Sequence, residues 1–406
     1  PLLRVIYTRH TARKTKKNNT FVSMLTPETY AILCTPEVQQ AIAENRDRDP
    51  LQVALDRHIP QAALVATQVK YLARAATKLP SYRAAQCILP SLAFEQASSE
   101  ECAAHKRIEG DMALDLTGGL GVDACALGRR FRRVVALERD PLLATITRDN
   151  LRRMGVVNVE VVCAAAEEYL ATTREHFDWI YADPDRRHAD GRKLVRLEDC
   201  SPNIPALMPA LQRVSGRLCL KNSPLFDVDE AFTIFGNCEV EVVSLGGECK
   251  EVVVYADGRQ PRITATALGL GSFTTPRMEV KNNPCATPFD PTRYRWLVTP
   301  DVALQKARVA CMALHDTVHL WSNDGYGFAE TEPQGALGKV LAIDRIEAYD
   351  PKALRRELRG TRAELLKRDF PLTSAQIATQ LSIREGGDRR IAFTRIGANF
   401  WTIRIK

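Results

Sequence analysis

Apolar residues change their spacing twice along this chain. From Thr26 to about Arg107 they recur at helical intervals, as in "IPQAALVATQVKYLARAATKLP", where Leu64, Gln68, Leu72 and apolar neighbours share a side between Pro60 and Pro80. Upstream, "LTPETYAILC" and "TPEVQQAIAENR" each offer a threonine cap, Thr26 or Thr35, then a proline at the first helical position and a glutamate in the first turn. The spacing predicts a helical unit over residues 26–107.

After Gly110 short apolar runs alternate with helical stretches. "MALDLTG", "RRVVALERD", "VNVEVVCAA", "FDWIYAD", "RLCLKNS", "EVEVVSL" and "EVVVYAD" read as strands, with "VDACALGRR" and "PLLATITRDNLRRMG" as helices between the first three. Such alternation predicts an α/β, Rossmann-like fold over residues 108–286: a doubly wound, largely parallel sheet with helices on both faces. Ligands in this architecture bind beyond the carboxyl ends of the strands. From about Thr287 the pattern changes again. "TPDVALQKARVACMALHD" reads as helical, and "DPKALRRELRGTRAELLKRDFP" as a basic amphipathic helix or a pair of short ones. "RRIAFTRIG" and "FWTIRIK" close an α+β unit over residues 287–406 as strands.

Composition narrows the class. A chain of 406 residues with 45% hydrophobic content is long enough for more than one domain and apolar enough for a sizeable core. The 56 basic residues exceed the 49 acidic ones, giving +7, which leans toward an anionic partner without separating nucleic acid from a phosphorylated metabolite. Residues 1–25 form a basic arm with six Arg or Lys and no acid; it reads as a solvated tail, an arm for an anionic surface, or a targeting presequence. The 11 cysteines include no Cys-x-x-Cys pair, and only 7 histidines occur. Scattered thiols in a reducing compartment, no metal cluster and no bilayer-spanning run together predict a cytoplasmic protein with neither metal nor membrane.

Candidate chemistry gathers at the strand ends. In "DLTGGLGVDA" (Asp115 to Ala124), Gly118, Gly119 and Gly121 permit tight turning and close ligand approach before a helix N-terminus. Gly119-x-Gly121-x-x-Ala124 fits a dinucleotide fingerprint, and Glu138 ends the second strand where it would meet both ribose hydroxyls. Asp115 would be awkward beside the pyrophosphate of NAD and comfortable beside the amino group of S-adenosylmethionine. Packing alone also produces glycine-rich turns. In "VVCAAAEEYL", Ala164 and Ala165 offer adenine no side-chain acceptor, which leaves backbone groups or Glu167; Glu167 and Glu168 also suit the first turn of any helix.

"FDWIYADPDRR" places Asp183 and the rigid Pro184 at the exit of the fourth strand. Methyl transfer to nitrogen needs an amine lone pair aimed at the methyl group, and a carboxylate with a neighbouring carbonyl supplies that aim. Arg186 and Arg187 suit a substrate phosphate or an internal pair with Asp185 or Asp190. Lys221 and Asn222 in "LCLKNSP" suit the substrate rim, as does His188, whereas Cys249 reads as a semi-buried thiol.

"DLTGGLGVDA", "ALERD" and "YADPDRR" resemble class I S-adenosylmethionine-dependent methyltransferases, in the branch whose strand-four motif starts Asp-Pro and which includes RNA guanine-N2 methyltransferases. Adding "SSEECAAHKR", "LGGECKEVVV" and "RDFPLTSAQI", the layout from about Thr26 to Lys406 resembles a bacterial family with a helical N-terminal region, this domain, and a C-terminal THUMP-like domain. The resemblance implies a seven-stranded sheet and S-adenosylmethionine as cofactor. Asp115, Gly119 and Gly121 would line its methionine part and Glu138 its ribose; Thr117, Arg139 and Ala165 complete the cofactor-binding set. Asp183 and Pro184 would face the nucleophile, with Arg186, Arg187, Lys221 and Asn222 on the substrate side.

The implied activity is methylation of an exocyclic nitrogen in rRNA or tRNA, guanine N2 being the instance the branch suggests. Two departures stand out: Ala164 where relatives carry an acid, and Asp185 where an aromatic often follows, so that Phe226 or another domain's ring would have to stack a base. THUMP-like domains are associated with RNA recognition, and helical spacing of Arg355, Arg359 and Arg362 would give such a domain a basic face. A small-molecule or protein methyltransferase, and a non-catalytic RNA-binding scaffold, remain as alternatives.

Overall fold

The structure is a computed structural model that describes residues 25–185, 196–280, 284–285 and 287–406. Among these, seven helices precede the first strand: α1 (Pro27–Leu33), α2 (Pro36–Asn45), α3 (Pro50–Leu55), α4 (Ala62–Lys78), α5 (Pro80–Ala84), α6 (Ser91–Gln96) and α7 (Glu100–His105). Thr26 caps α1 reciprocally with Thr29, while Thr35 precedes α2 without a side-chain cap. Gln68 sits on the buried stripe of α4 because its amide exchanges bonds with the backbone of Leu89, at 2.9 and 3.3 Å. This helical core extends into the next unit through Leu120, Val122 and Ile146, so the helices are packed on the sheet domain rather than tethered to it.

The sheet that follows contains nine strands among the described residues, in the order β3-β2-β1-β4-β5-β7-β6-β8-β9. They are β1 (Gly110–Asp115), β2 (Phe131–Leu137), β3 (Val159–Val162), β4 (Trp179–Ala182), β5 (Leu218–Asn222), β6 (Glu239–Leu245), β7 (Glu248–Ala256), β8 (Arg262–Ala267) and β9 (Gly271–Pro276). The first five are parallel and β7 runs antiparallel between β5 and β6. Helices α8 (Val122–Leu127) and α9 (Pro141–Arg153) pack on one face; α10 (Ala166–Thr172), α11 (Ile204–Val214) and α12 (Val228–Phe235) pack on the other.

The expected seven strands are thus extended by a hairpin, β8 and β9, added to the outer edge of β6. The stretch "RITATALGLGSFTTP" that forms it alternates threonines with apolar residues. Ile263 and Ala265 enter the core while the hydroxyls of Thr264 and Thr266 donate to the buried carboxylates of Glu239 and Glu241, both at 2.6 Å.

The C-terminal part forms a second sheet, with the order β11-β12-β10-β13-β16-β15-β14. Its strands are β10 (Trp296–Pro300), β11 (His319–Leu320), β12 (Gly327–Ala329), β13 (Gly338–Ala348), β14 (Arg362–Lys367), β15 (Arg384–Ile396) and β16 (Asn399–Ile405). Helices α13 (Val302–Lys306), α14 (Ala310–Ala313), α15 (Pro351–Leu358) and α16 (Ser374–Leu381) accompany them. Ala303 and Leu304 of α13 join the apolar core of the first sheet, and Ser244 contacts Asp301 at 2.5 Å.

The expected basic helix is corrected here. It stops at Leu358, the chain turns at Gly360, and Arg362–Lys367 becomes a strand parallel to β15 with Ala363 and Leu365 buried. Arg355, Arg359 and Arg362 therefore share no helical face. No helix among the described residues is long and apolar enough to cross a membrane.

Candidate active site

A crevice of about 910 Å³ opens at the carboxyl ends of β1, β2, β4 and β5. The glycine-rich loop after β1 forms its floor. At Gly118 an added Cβ would lie 3.0 Å from the Leu137 carbonyl oxygen, so any side chain there would have to push that backbone aside. Gly121 has φ +82°, and an added Cβ would meet Thr147 Cγ2 at 2.8 Å. Thr147, fully buried on α9, also donates to the Gly119 carbonyl at 2.7 Å and so fixes the loop from below. Gly121→Ala should therefore cost about 2 kcal/mol in thermal or denaturant unfolding, and ligand affinity should fall with it. Unchanged unfolding would contradict the close approach.

Asp115 is fully buried at the tip of β1. Its Oδ1 accepts the Thr117 backbone N–H at 2.8 Å and the Thr117 hydroxyl at 3.2 Å. That hydroxyl in turn accepts the Asp183 N–H at 2.8 Å, tying the ends of β1 and β4 together. Asp115 Oδ2 is buried with no hydrogen-bond partner among the described residues. Burial, outweighing the Thr117 bonds, pushes its carboxyl up to about 8. Glu138 accepts the Gly119 N–H at 3.0 Å on one oxygen and the Asp140 N–H at 2.8 Å on the other. Burial lifts its pKa against the pull of those bonds, and each oxygen keeps a second lone pair for a ligand hydroxyl.

Asp183 and Pro184 also line the crevice, with the Asp183 backbone bonded to Thr117 at the start of this loop. The Lys221 ammonium pairs with Asp183 Oδ2, and Lys221 also lines the crevice. Burial works against the Lys221 charge, but the carboxylates of Asp183, Asp123 and Glu251 outweigh it and raise its pKa. Asp185 exchanges backbone bonds with Ser201 at 2.8 and 3.0 Å. Arg139 donates to the Ser201 hydroxyl at 3.1 Å, and Arg139, Ala165, Glu167 and Asn222 all line the crevice. Arg186, Arg187 and His188 lie outside the described residues. Cys249 has its thiol pushed up to about 11 by burial, in keeping with an inert side chain.

Two features were not foreseen. The wall formed by Leu92–Ser98 comes from α6 and the turn after it, with the Ser98 hydroxyl donating to Asp123 at 2.7 Å. Its only sequence signal was the nearby "SSEECAAHKR". Phe226 is buried in the core and cannot stack on a base, which corrects that expectation. Among the described lining residues there is no aromatic ring; the apolar side chains at the mouth are Leu92 and Leu225, the latter 75% exposed.

These residues fit S-adenosylmethionine. Asp115 does not itself line the crevice, but its unpartnered oxygen is buried just behind the lining residues Leu116 and Thr117 and would suit a cationic amino group; the bare loop admits a close backbone approach, and Glu138 suits ribose hydroxyls. Comparison with known proteins agrees. The family described as THUMP domain-like matches residues 338–404, and Conserved hypothetical protein 95 matches residues 94–197. An uncharacterized S-adenosylmethionine-dependent methyltransferase of Mycobacterium tuberculosis is 27% identical over 346 residues, 80% of this chain and 90% of that protein. Ribosomal RNA small subunit methyltransferase J of Coxiella burnetii is 33% identical over 129 residues, 28% of this chain and 50% of that protein. The crystal structure of a presumed methyltransferase from Porphyromonas gingivalis W83 superposes with a TM-score of 0.75 at 23% identity, over 90% of this chain and 96% of that one, which speaks for the fold. A glycine-floored crevice at the carboxyl edge of the first sheet, a THUMP domain-like match over residues 338–404 and these relatives together make the chain similar to bacterial S-adenosylmethionine-dependent methyltransferases.

Proposed function

We propose that this protein transfers a methyl group from S-adenosylmethionine to an exocyclic nitrogen of an RNA base, guanine N2 in rRNA or tRNA, and works in the cytoplasm. The observation that carries the reading is the Asp183-Pro184 corner, held by Thr117 and Lys221 in the crevice that the glycine loop and Glu138 also line. The relative named for ribosomal RNA, the THUMP-like segment and the net charge of +7 support RNA as the substrate.

S-adenosylmethionine, when bound, supplies an electrophilic methyl group. Asp115, Thr117, Gly119 and Gly121 would hold its amino acid end, Glu138 and Arg139 the ribose side, and Ala165 the adenine. The second Asp183 oxygen has no partner among the described residues and accepts one N–H of the substrate amine. The Pro184 carbonyl accepts the other, which aims the lone pair along the line of transfer. Asp183 also offsets the positive charge that develops on nitrogen, and the proton passes to it or to water.

Labelled methyl transfer to rRNA, tRNA, protein and small-molecule fractions tests this. Label in RNA is the expected result, and label only in the other fractions overturns it. The absence of an aromatic ring among the described lining residues favours a small-molecule or protein acceptor as the competing reading.

Cofactor binding should also be linked to protons through Asp115. Because its folded pKa is raised to about 8, its contribution to stability is full below the ordinary aspartate range and is lost as the pH rises through about 8. Docking an ammonium on Asp115 reverses that penalty and expels the proton. Calorimetry below pH 8, in buffers of different ionisation enthalpy, should show release of about one proton per cofactor, with affinity rising about tenfold per pH unit toward 8. Asp115→Asn should abolish both effects.

A further inference from the structure

We propose that Glu251 and Lys106 are positioning residues that hold the Lys221 ammonium on Asp183, through a buried row of alternating charge running Lys106, Glu251, Lys221, Asp183. The proposal deepens the reading of Asp183 as the acceptor carboxylate and rests on it.

Strand register makes the row. Lys221 on β5 stands opposite Val253 on β7, and Glu251, two residues along β7, points to the same face. Lys221 and Glu251 are thus diagonal neighbours across the strand pair, within reach of long side chains. Lys106, at the C-terminal end of α7, donates to Glu251 at 2.6 Å and to the Cys102 carbonyl at 2.9 Å, and stands 3.8 Å from Asp123. Lys106 and Glu251 are each 1% exposed and the Lys221 side chain 14%.

A lysine so placed loses its proton unless neighbouring carboxylates hold it. The groups that face Lys221 are Asp183 at the exit of β4, Asp123 from α8 and Glu251 from β7, with Lys78 of α4 as a like charge; Lys78 in turn feels Lys250 of β7. Glu251 is itself driven toward its neutral form by burial and drawn back by Lys106 and then Lys221. The Tyr181 hydroxyl lies in the field of the same acids. Remove Glu251, and Lys221 keeps only Asp183 and Asp123, while Lys106 stays nearby with its main counter-charge gone. The end of the helical unit is thereby coupled to the acceptor carboxylate two strands away. A role confined to docking α7 would leave the protonation of Lys221 untouched.

Competitive acetylation of the full-length protein across pH, with Lys221 followed by mass spectrometry, reads that protonation without any RNA. Wild-type Lys221 should titrate above the ordinary lysine range, and Glu251→Gln should bring it down by at least about one pH unit. In methyl transfer, the alkaline limb of the kcat profile should move down by the same amount with KM for S-adenosylmethionine unchanged. Adding Lys221→Arg to that variant should remove the limb, because arginine does not titrate there.

Identical Lys221 titration in wild type and Glu251→Gln overturns the proposal. So does wild-type Lys221 titrating at or below the ordinary range, a measurement that does not require the variant to fold. Absence of methyl transfer by the wild type would count against the parent reading and leave the acetylation result to judge this one.

Discussion

Replacing Asp183 by Ala should lower methyl transfer to RNA by roughly a thousandfold while S-adenosylmethionine binding stays within about threefold. The separation is expected because the cofactor side of the crevice is built from β1 and β2, through Asp115, the glycine loop and Glu138, whereas Asp183 enters from β4. Among the described residues it is tied to that side through its backbone N–H to Thr117, which Ala retains. The side chain has two uses: one oxygen satisfies Lys221, and the other remains for the substrate amine. Ala also strands the Lys221 ammonium, so some destabilisation should accompany the loss of rate. Asp183→Asn keeps the volume and separates the effects, restoring part of the stability but little of the rate. Equal loss of cofactor binding and rate would place Asp183 in the cofactor site instead.

Arg107→Met should destabilise the protein by about 2–3 kcal/mol, below the full cost of breaking a buried pair because the guanidinium is partly solvated. Arg107 follows α7 and donates to Glu239 at 2.5 Å and to Glu241 at 3.2 Å, beside the His105 to Glu241 contact at 2.8 Å. Both glutamates are 1% exposed in the middle of a sheet. Burial alone would raise the Glu241 pKa, but the bonds and charges of His105 and Arg107, with Thr266, overcome it and hold the carboxyl at about 2. A depressed carboxylate pKa contributes stability that is full above the ordinary glutamate range and is lost as the pH falls through about 2. Without Arg107 that loss should set in at higher pH. Denaturant unfolding between pH 3 and 7 reads both effects: coincident curves for wild type and variant would contradict the first, and parallel ones the second.

The strands from β1 to β7 were legible because each is a short apolar run bounded by polar turns. The Asp-Pro exit of β4 was legible because chemistry at a strand end stands out against the apolar run before it. What escaped depends on pairing between distant segments. β8 was hidden because Thr264 and Thr266 look solvent-facing until Glu239 and Glu241 are placed beside them. Lys221 read as a rim residue because only the β4 and β5 pairing brings it to Asp183. "SSEECAAHKR" and "LGGECKEVVV" were recognisable as separate marks, yet their meeting in the Lys106 to Glu251 pair spans 145 residues and belongs to the fold. Helical spacing also misled. Arg355, Arg359 and Arg362 fit one helix until the turn at Gly360 converts the last of them to a strand residue.

Nucleoside analysis of RNA methylated by the purified protein identifies the acceptor atom itself. Label should be recovered as N2-methylguanosine and be lost with Asp183→Ala. Label on a ribose hydroxyl or a ring carbon, or undiminished N2-methylguanosine from Asp183→Ala, would contradict it.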